Sequence, residues 1–241
     1  LIASALPKAV IGSSVTAGLF HWGEGVSGVI TALKLGSRNH RRVNIYLDGS
    51  YGFSVAKVLT TGLEVGQTLT DSQIADLTAR DAQERCYQRA LRLLQYRPRS
   101  ERELRDHFNR HQIPSDVQEV VLTRLQNADL VDDEAFAAAW VENRRHFRPR
   151  SARALRVELK KKGVSRETID TALEGLDEDD AAYQAAVIGA RRWKDRSWDD
   201  FRQRLGAYLA RRGFSYATIS PVVARVWHEI TGVEDESEVT K

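Results

Sequence analysis

The chain has one cysteine, Cys86, and no methionine among its 241 residues. A single thiol excludes an intramolecular disulfide and any zinc site built from several cysteines. It fits a reducing compartment, so a cytoplasmic location is expected. No run approaches the ~18 apolar residues of a membrane span, and no membrane partner is expected. Residues 9–20 form a short apolar stretch, but only Lys8 precedes it and no small-residue cleavage motif follows, which speaks against a signal peptide. With no methionine even at position 1, residues 1–26 are expected to be a disordered or non-native N-terminal extension.

Signatures of catalysis are equally scarce. There is no phosphate-binding Gly-Lys loop, and Gly23, Gly25 and Gly28 precede a strand rather than opening a helix. His107, His111 and His146 lie among basic residues without metal-ligand spacing, and Asp132-Asp133-Glu134 reads as a helix cap rather than a metal loop. The expectation is a protein that is not an enzyme and needs no cofactor or metal.

What the chain has is a repeat. Tyr96-Arg97-Pro98-Arg99-Ser100 returns as Phe147-Arg148-Pro149-Arg150-Ser151, an offset of 51, and Leu104, Leu122 and Leu125 return as Leu155, Leu173 and Leu176. A looser third copy places Leu205, Leu209 and Gly213 after Leu155, Leu159 and Gly163. Repeats of this length signal one supersecondary unit stacked on itself, and stacking makes an extended surface.

Residues 28–70 read as three short strands around Val29–Leu33, Val43–Leu47 and Tyr51–Val55, with a hairpin at Asp48-Gly49 and a basic turn at Arg38, His40, Arg41 and Arg42. From about residue 71 the pattern is helical, with long helices beginning near 82, 133 and 179. Ser100–Glu103 and Ser115–Gln118 read as capping boxes, and Asp132 as a cap with Val131 and Phe136 as its hydrophobic staple. Val117, Val120, Val121 and Leu125 form one stripe, Ala139 and Trp140 another, and Tyr96 and Phe147 are expected in the core. Gly163 and Gly213 stand where a helix stops in a left-handed turn.

The expected fold is mostly α: three tandem three-helix modules forming an elongated surface, preceded by a small β segment. The expected boundaries are 27–70 for the β segment, 71–130, 131–177 and 178–231 for the modules, and 232–241 for an acidic tail.

The net charge is only +3, but it is unevenly placed. Residues 147–162 hold seven Lys/Arg and one Glu, and residues 191–212 hold eight against three Asp. Each Arg-Pro-Arg-Ser opens a helix, whose first amides favour an anion. Arg97, Arg99, Arg148 and Arg150 stand beside those starts. Lys160, Lys161, Lys162, Arg211 and Arg212 close helices at equivalent places. These nine are the candidate partner- or DNA-binding residues.

The composite resembles the RecX family. It runs from Ala90–Leu94 through Tyr96–Ser100, then Leu130–Ala137, Trp140–Arg144, Phe147–Arg150, Leu155 to Val164, Phe201–Leu205 and Leu209–Tyr216. Residues 27–70 are similar to the β segment of longer members. The resemblance implies a monomeric, cytoplasmic bacterial regulator of DNA repair and the SOS response. Such proteins bind the RecA–single-stranded DNA filament and limit its extension, ATP hydrolysis and strand exchange in homologous recombination. The competing expectation is a helical repeat protein that binds single- or double-stranded DNA without RecA.

Overall fold

The computed structural model describes residues 27–37 and 39–232. The expected extension at 1–26, Arg38 of the expected basic turn, and the acidic tail from 233 onward lie outside the described residues. The chain forms two compact units, one through Ala82 and one from Gln83.

The first unit is an antiparallel sheet of β1 (Gly28–Leu35), β2 (Arg42–Leu47), β3 (Ser50–Ala56) and β4 (Thr68–Leu69), in the order β3-β2-β1-β4. Three strands were expected. The fourth pairs only Gly28 with Leu69 and Val29 with Thr68, too short a run to show an alternating pattern. Asp48 and Gly49 join β2 to β3 at φ 47° and 83°, the paired left-handed residues of a tight hairpin turn. Ile30, Ile45, Leu47, Phe53, Val55 and Leu69 bury one face of the sheet together with Ile74. Ile74 lies on α1 (Asp71–Leu94), in which the lead-in helix expected from 71 and the long helix expected from near 82 run on as one, with no proline or glycine between them. On the same helix, buried Asp81 accepts from both terminal nitrogens of Arg42, at 3.1 and 2.9 Å, and from the Ala56 amide at 2.8 Å. Arg42 therefore belongs to a strand and has a partner, rather than forming part of a solvated basic turn.

The second unit holds three three-helix modules. The end of α1 joins α2 (Glu101–Arg110) and α3 (Ser115–Gln126). Then come α4 (Asp133–Phe147), α5 (Ala152–Lys161) and α6 (Arg166–Ala172). The last three are α7 (Glu178–Ala190), α8 (Trp198–Ala210) and α9 (Tyr216–Thr231). Each module has its own core, centred on Leu104, Phe108 and Leu125, on Leu155, Leu159 and Ile169, and on Phe201, Leu205 and Leu209. Cys86 packs in the first, where burial pushes its thiol up to about 11 and leaves it inert at neutral pH.

Several local expectations change. Ser100 caps α2 through the Glu103 amide, but the Glu103 carboxylate does not return to the cap. Pro114, not Ser115, caps α3, and Gln118 turns inward to donate to Asn109 Oδ1 and the Ile113 carbonyl, both at 2.8 Å. Asp132 caps α4 as expected, yet Val131 lies in the first core and Phe136 in the second, so they form no staple. Val120 and Ala139 are exposed, with Gln118 and Ala137 taking the inward places. Tyr96 and Phe147 are 86% and 72% exposed, not core.

The modules meet through a repeated joint. The buried Ser100 hydroxyl donates to the Lys162 carbonyl at 2.6 Å, and the Glu101 amide donates to Asp133 Oδ1 at 2.9 Å. One module on, the buried Ser151 amide donates to the Arg212 carbonyl at 3.2 Å, and the Ala152 amide to Glu178 Oε2 at 3.2 Å. The sockets are Gly163 and Gly213, at φ 84° and 92°. A Cβ on Gly163 would fall 2.2 Å from Arg102 Cδ, and one on Gly213 would fall 2.4 Å from Ser151 Oγ. Ser197, which starts α8 in the third module, makes no side-chain cap and is exposed, and no described module follows to cover it.

Gly175 provides a control, since it has φ 74° with nothing within 4 Å of a built Cβ. Gly175→Ala should lose about 1 kcal/mol in urea unfolding from the left-handed backbone alone. Gly163→Ala should lose a further ~1–3 kcal/mol from overpacking against Arg102. Equal losses would show that the joint opens without cost.

Candidate functional site

The candidate residues divide according to what already holds them. Arg97 donates to both carboxylate oxygens of Glu103 at 2.8 and 3.0 Å, and Lys162 Nζ reaches the same carboxylate across the first joint. Glu158 is shared in the same way by Arg144 at 2.9 Å and Arg150 at 3.0 Å. Both networks converge on Trp140. Its Nε1–H donates to Glu158 at 2.8 Å, the Arg144 guanidinium lies 4.4 Å from its ring centroid, and Lys162 Nζ lies 5.0 Å from it. Two cations and one carboxylate thus contact the indole, with Arg97, Arg150 and Glu103 one ion pair further out, a local excess of positive charge.

Arg212 stacks on Tyr208 at 3.6 Å, with its Nε buried and without a partner. Burial pushes its pKa down, and the nearby charges of Arg150, Arg192 and Arg211 add to that against the opposing effect of Tyr208. Arg99 is pushed down by burial and then by Arg97, and its Nε contacts the Leu93 carbonyl at a long 3.4 Å. Arg148, Lys160, Lys161 and Arg211 are exposed and make no ion pair among the described residues. The nine are therefore two sets: Arg97, Arg150, Lys162 and Arg212 are tied into the fold, whereas Arg148, Lys160, Lys161 and Arg211 project from it, with Arg99 between them.

The expected anion site at the Arg-Pro-Arg-Ser helix starts is not open. The first amide of α2 is taken by Asp133 and that of α5 by Glu178. A carboxylate from the following module stands where a phosphate would sit, which is the natural ligand for a helix N-terminus inside a chain. Burial raises the Asp133 pKa, the Glu101 amide opposes this, and the neighbouring acids Glu101, Asp132 and Glu103 add to the rise. The basic helix ends likewise serve the joints, since the Lys162 and Arg212 carbonyls receive the preceding module.

Sequence reasoning missed Trp140 as a centre, because a tryptophan at helical spacing reads as core. It also missed the two bridging glutamates and the exposure of Tyr96 and Phe147. The basic surroundings of His107 on α2 were legible in the sequence, and the structure brings those cations close enough to act on it. Burial lowers the His107 pKa, and His111, Arg110, Arg89 and Arg99 lower it further.

A cavity of about 310 Å³ opens at the first joint, lined by Arg97, Pro98, Phe136, Ala139, Trp140 and Asn143. An acidic recess of about 400 Å³ is lined by residues that include Glu101, Asp129, Asp132, Asp133 and Glu134. No group of three or more His, Cys, Asp or Glu among the described residues is placed to hold a metal ion.

Glu103 gives the first joint a signature in acid. Burial alone would raise its pKa, but hydrogen bonds and charge from Arg97 and Lys162 outweigh this and hold it at about 2, against an ordinary 4.5. A depressed carboxylate stabilises the fold above its unfolded pKa, and that contribution fades as pH falls through the folded value. Wild-type stability should therefore decline between about pH 4.5 and 2. Glu103→Gln should be less stable at pH 7 and show a shallower decline in that window. Parallel curves in urea titrations across pH would remove Glu103 from the joint.

Residues 28–70 match the regulatory protein RecX N-terminal domain. Residues 86–125, 132–173 and 177–223 match the first, second and third RecX three-helix domains. The regulatory protein RecX of Bacillus pumilus is 31% identical over 215 residues, covering 87% of this chain and 80% of that protein. That of Bacillus subtilis is 32% identical over 205 residues, covering 83% and 78%. That of Streptomyces lividans is 37% identical over 167 residues, covering 67% and 85%. A crystal structure of regulatory protein RecX superposes with a TM-score of 0.64 at 28% identity, covering 81% of this chain and 98% of that one. With four domain matches in order and this level of identity, the chain belongs to the RecX family.

Proposed function

We propose that the chain is a non-enzymatic, monomeric cytoplasmic regulator that binds the RecA–single-stranded DNA filament and inhibits its extension, ATP hydrolysis and strand exchange. The observation that carries this reading is membership of a family of regulatory proteins across all four domains. The geometry supports it. The second module presents projecting cations at Arg148, Lys160 and Lys161, the third presents Arg211, and an acidic recess includes Asp132–Glu134. A partner that is itself protein and DNA offers both charges to such a surface. No helix among the described residues is long and apolar enough to cross a membrane.

The second reading is a helical repeat protein that binds DNA without RecA, favoured by the same projecting cations. It needs a helix able to read bases. The third helix of the middle module, α6, has only seven residues, and its exposed Asp170 is held by Arg156 at 2.8 Å and Arg166 at 3.6 Å. A short helix with an acid at its centre is a poor reader of the major groove.

Titrating the chain into single-strand-dependent ATP hydrolysis by the recombinase of the same organism separates the two. Hydrolysis should fall at concentrations too low to coat the DNA, as measured by binding to bare strands in parallel. Hydrolysis that is unchanged, or lost only when bare DNA is saturated, would transfer the function to the second reading.

A further inference from the structure

The two joints share a plan but differ in one respect. Counting from the caps Asp132 and Asp177, Phe136, Trp140 and Asn143 on α4 correspond to Ala181, Ala185 and Ile188 on α7. Pro149 is buried at the second joint, and Ala181 and Ala185 are buried in the core of the third module. Pro98 at the first joint is exposed and lines the 310 Å³ cavity. The first joint is therefore open where the second is filled.

Its floor is aromatic, with the Phe136 and Trp140 rings 5.8 Å apart and inclined at 34°. Asn143 at its edge has an exposed carboxamide that makes no hydrogen bond within the described residues. The positive excess of the two Glu-centred networks lies beside the same indole. Phe147 follows Trp140 by seven residues on α4, hence on the same stripe about 10 Å further along. It and Tyr96 are largely exposed rings, each followed directly by an arginine. Flat rings beside cations match a polymer that alternates flat bases with phosphates, and a carboxamide matches the edge of a base.

We propose that the first joint is a base-binding site for single-stranded nucleic acid. An unstacked base enters the cavity against Trp140 with its edge toward Asn143, a neighbouring base stacks on Phe147, and the phosphates lie over the surplus cations. This deepens the filament reading and rests on it for the presence of single-stranded DNA, but its test does not require the recombinase.

Binding of the full chain to a labelled oligothymidylate and to an abasic strand of equal length and charge, followed by fluorescence anisotropy, tests it. Phe147→Ala removes an exposed ring, and Asn143→Ile carries the second joint's residue into the first. Circular dichroism and urea unfolding establish that each variant folds. The wild type should prefer the base-bearing strand by about tenfold, and each variant should lose about three- to tenfold on that strand alone. Equal affinity for the two strands, or none for either, overturns the proposal. Variants that bind oligothymidylate like wild type but no longer suppress ATP hydrolysis would assign the cavity to a segment of a protein partner, overturning the proposal while leaving the filament reading intact. Base preference as expected with ATP hydrolysis untouched would uphold the site and remove the filament reading.

Discussion

The helical part of the molecule depends on one contact made twice, a helix-capping serine seated on the glycine turn that ends a helix of the next module. Three requirements meet there. The start of a helix has amides that need acceptors, and a carboxylate from the neighbour supplies one at each joint. The neighbour's helix must end without a side chain at the point of contact, which Gly163 and Gly213 provide. The small core of each module must also be shielded, and Ser100 and Ser151 are fully buried as a result. The exposed Ser197, with no described module against it, shows that burial comes from the joint and not from the cap itself.

That contact explains the charge pattern better than a binding stripe does. Arginines flank the serines and lysines or arginines precede the glycines because the joint is partly electrostatic. Arg97 and Lys162 approach Glu103 from the two sides of the first joint. Using two cations for each carboxylate leaves net positive charge beside every such contact, so structural ion pairs still create a local field. The residues free to spend their charge elsewhere are those one step out of the joint, such as Arg148 and Lys161.

Much of the fold was legible because its signals are local. The repeat, the Asp48-Gly49 hairpin, the Asp132 cap and the glycine stops each depend on a few adjacent residues. What escaped depends on residues far apart in sequence. Val120 and Ala139 satisfy helical spacing but sit at the margin of their apolar faces, where the neighbouring helix decides burial. Glu103 satisfies the capping-box spacing, yet Arg97 and a lysine 59 residues away hold it more strongly than a lone backbone amide could. At the candidate site, the basic residues could be read individually. Their division into held and projecting sets could not, because it depends on which acid the next module brings.

The same logic accounts for where the repeat is free to vary. The serine, the turn that carries the glycine and the acid at the head of the following module all take part in one joint, so a change in any of them acts on it. The positions three and seven residues further into that module's first helix are not bound in this way. Phe136 and Trp140 occupy them in one copy, and Ala181 and Ala185 in the other, with the joint intact in both. A duplicated fold can thus keep its stacking while one copy holds a filled contact and the other a cavity with aromatic walls. The difference between the copies, rather than the motif they share, is where a specific binding role can be written.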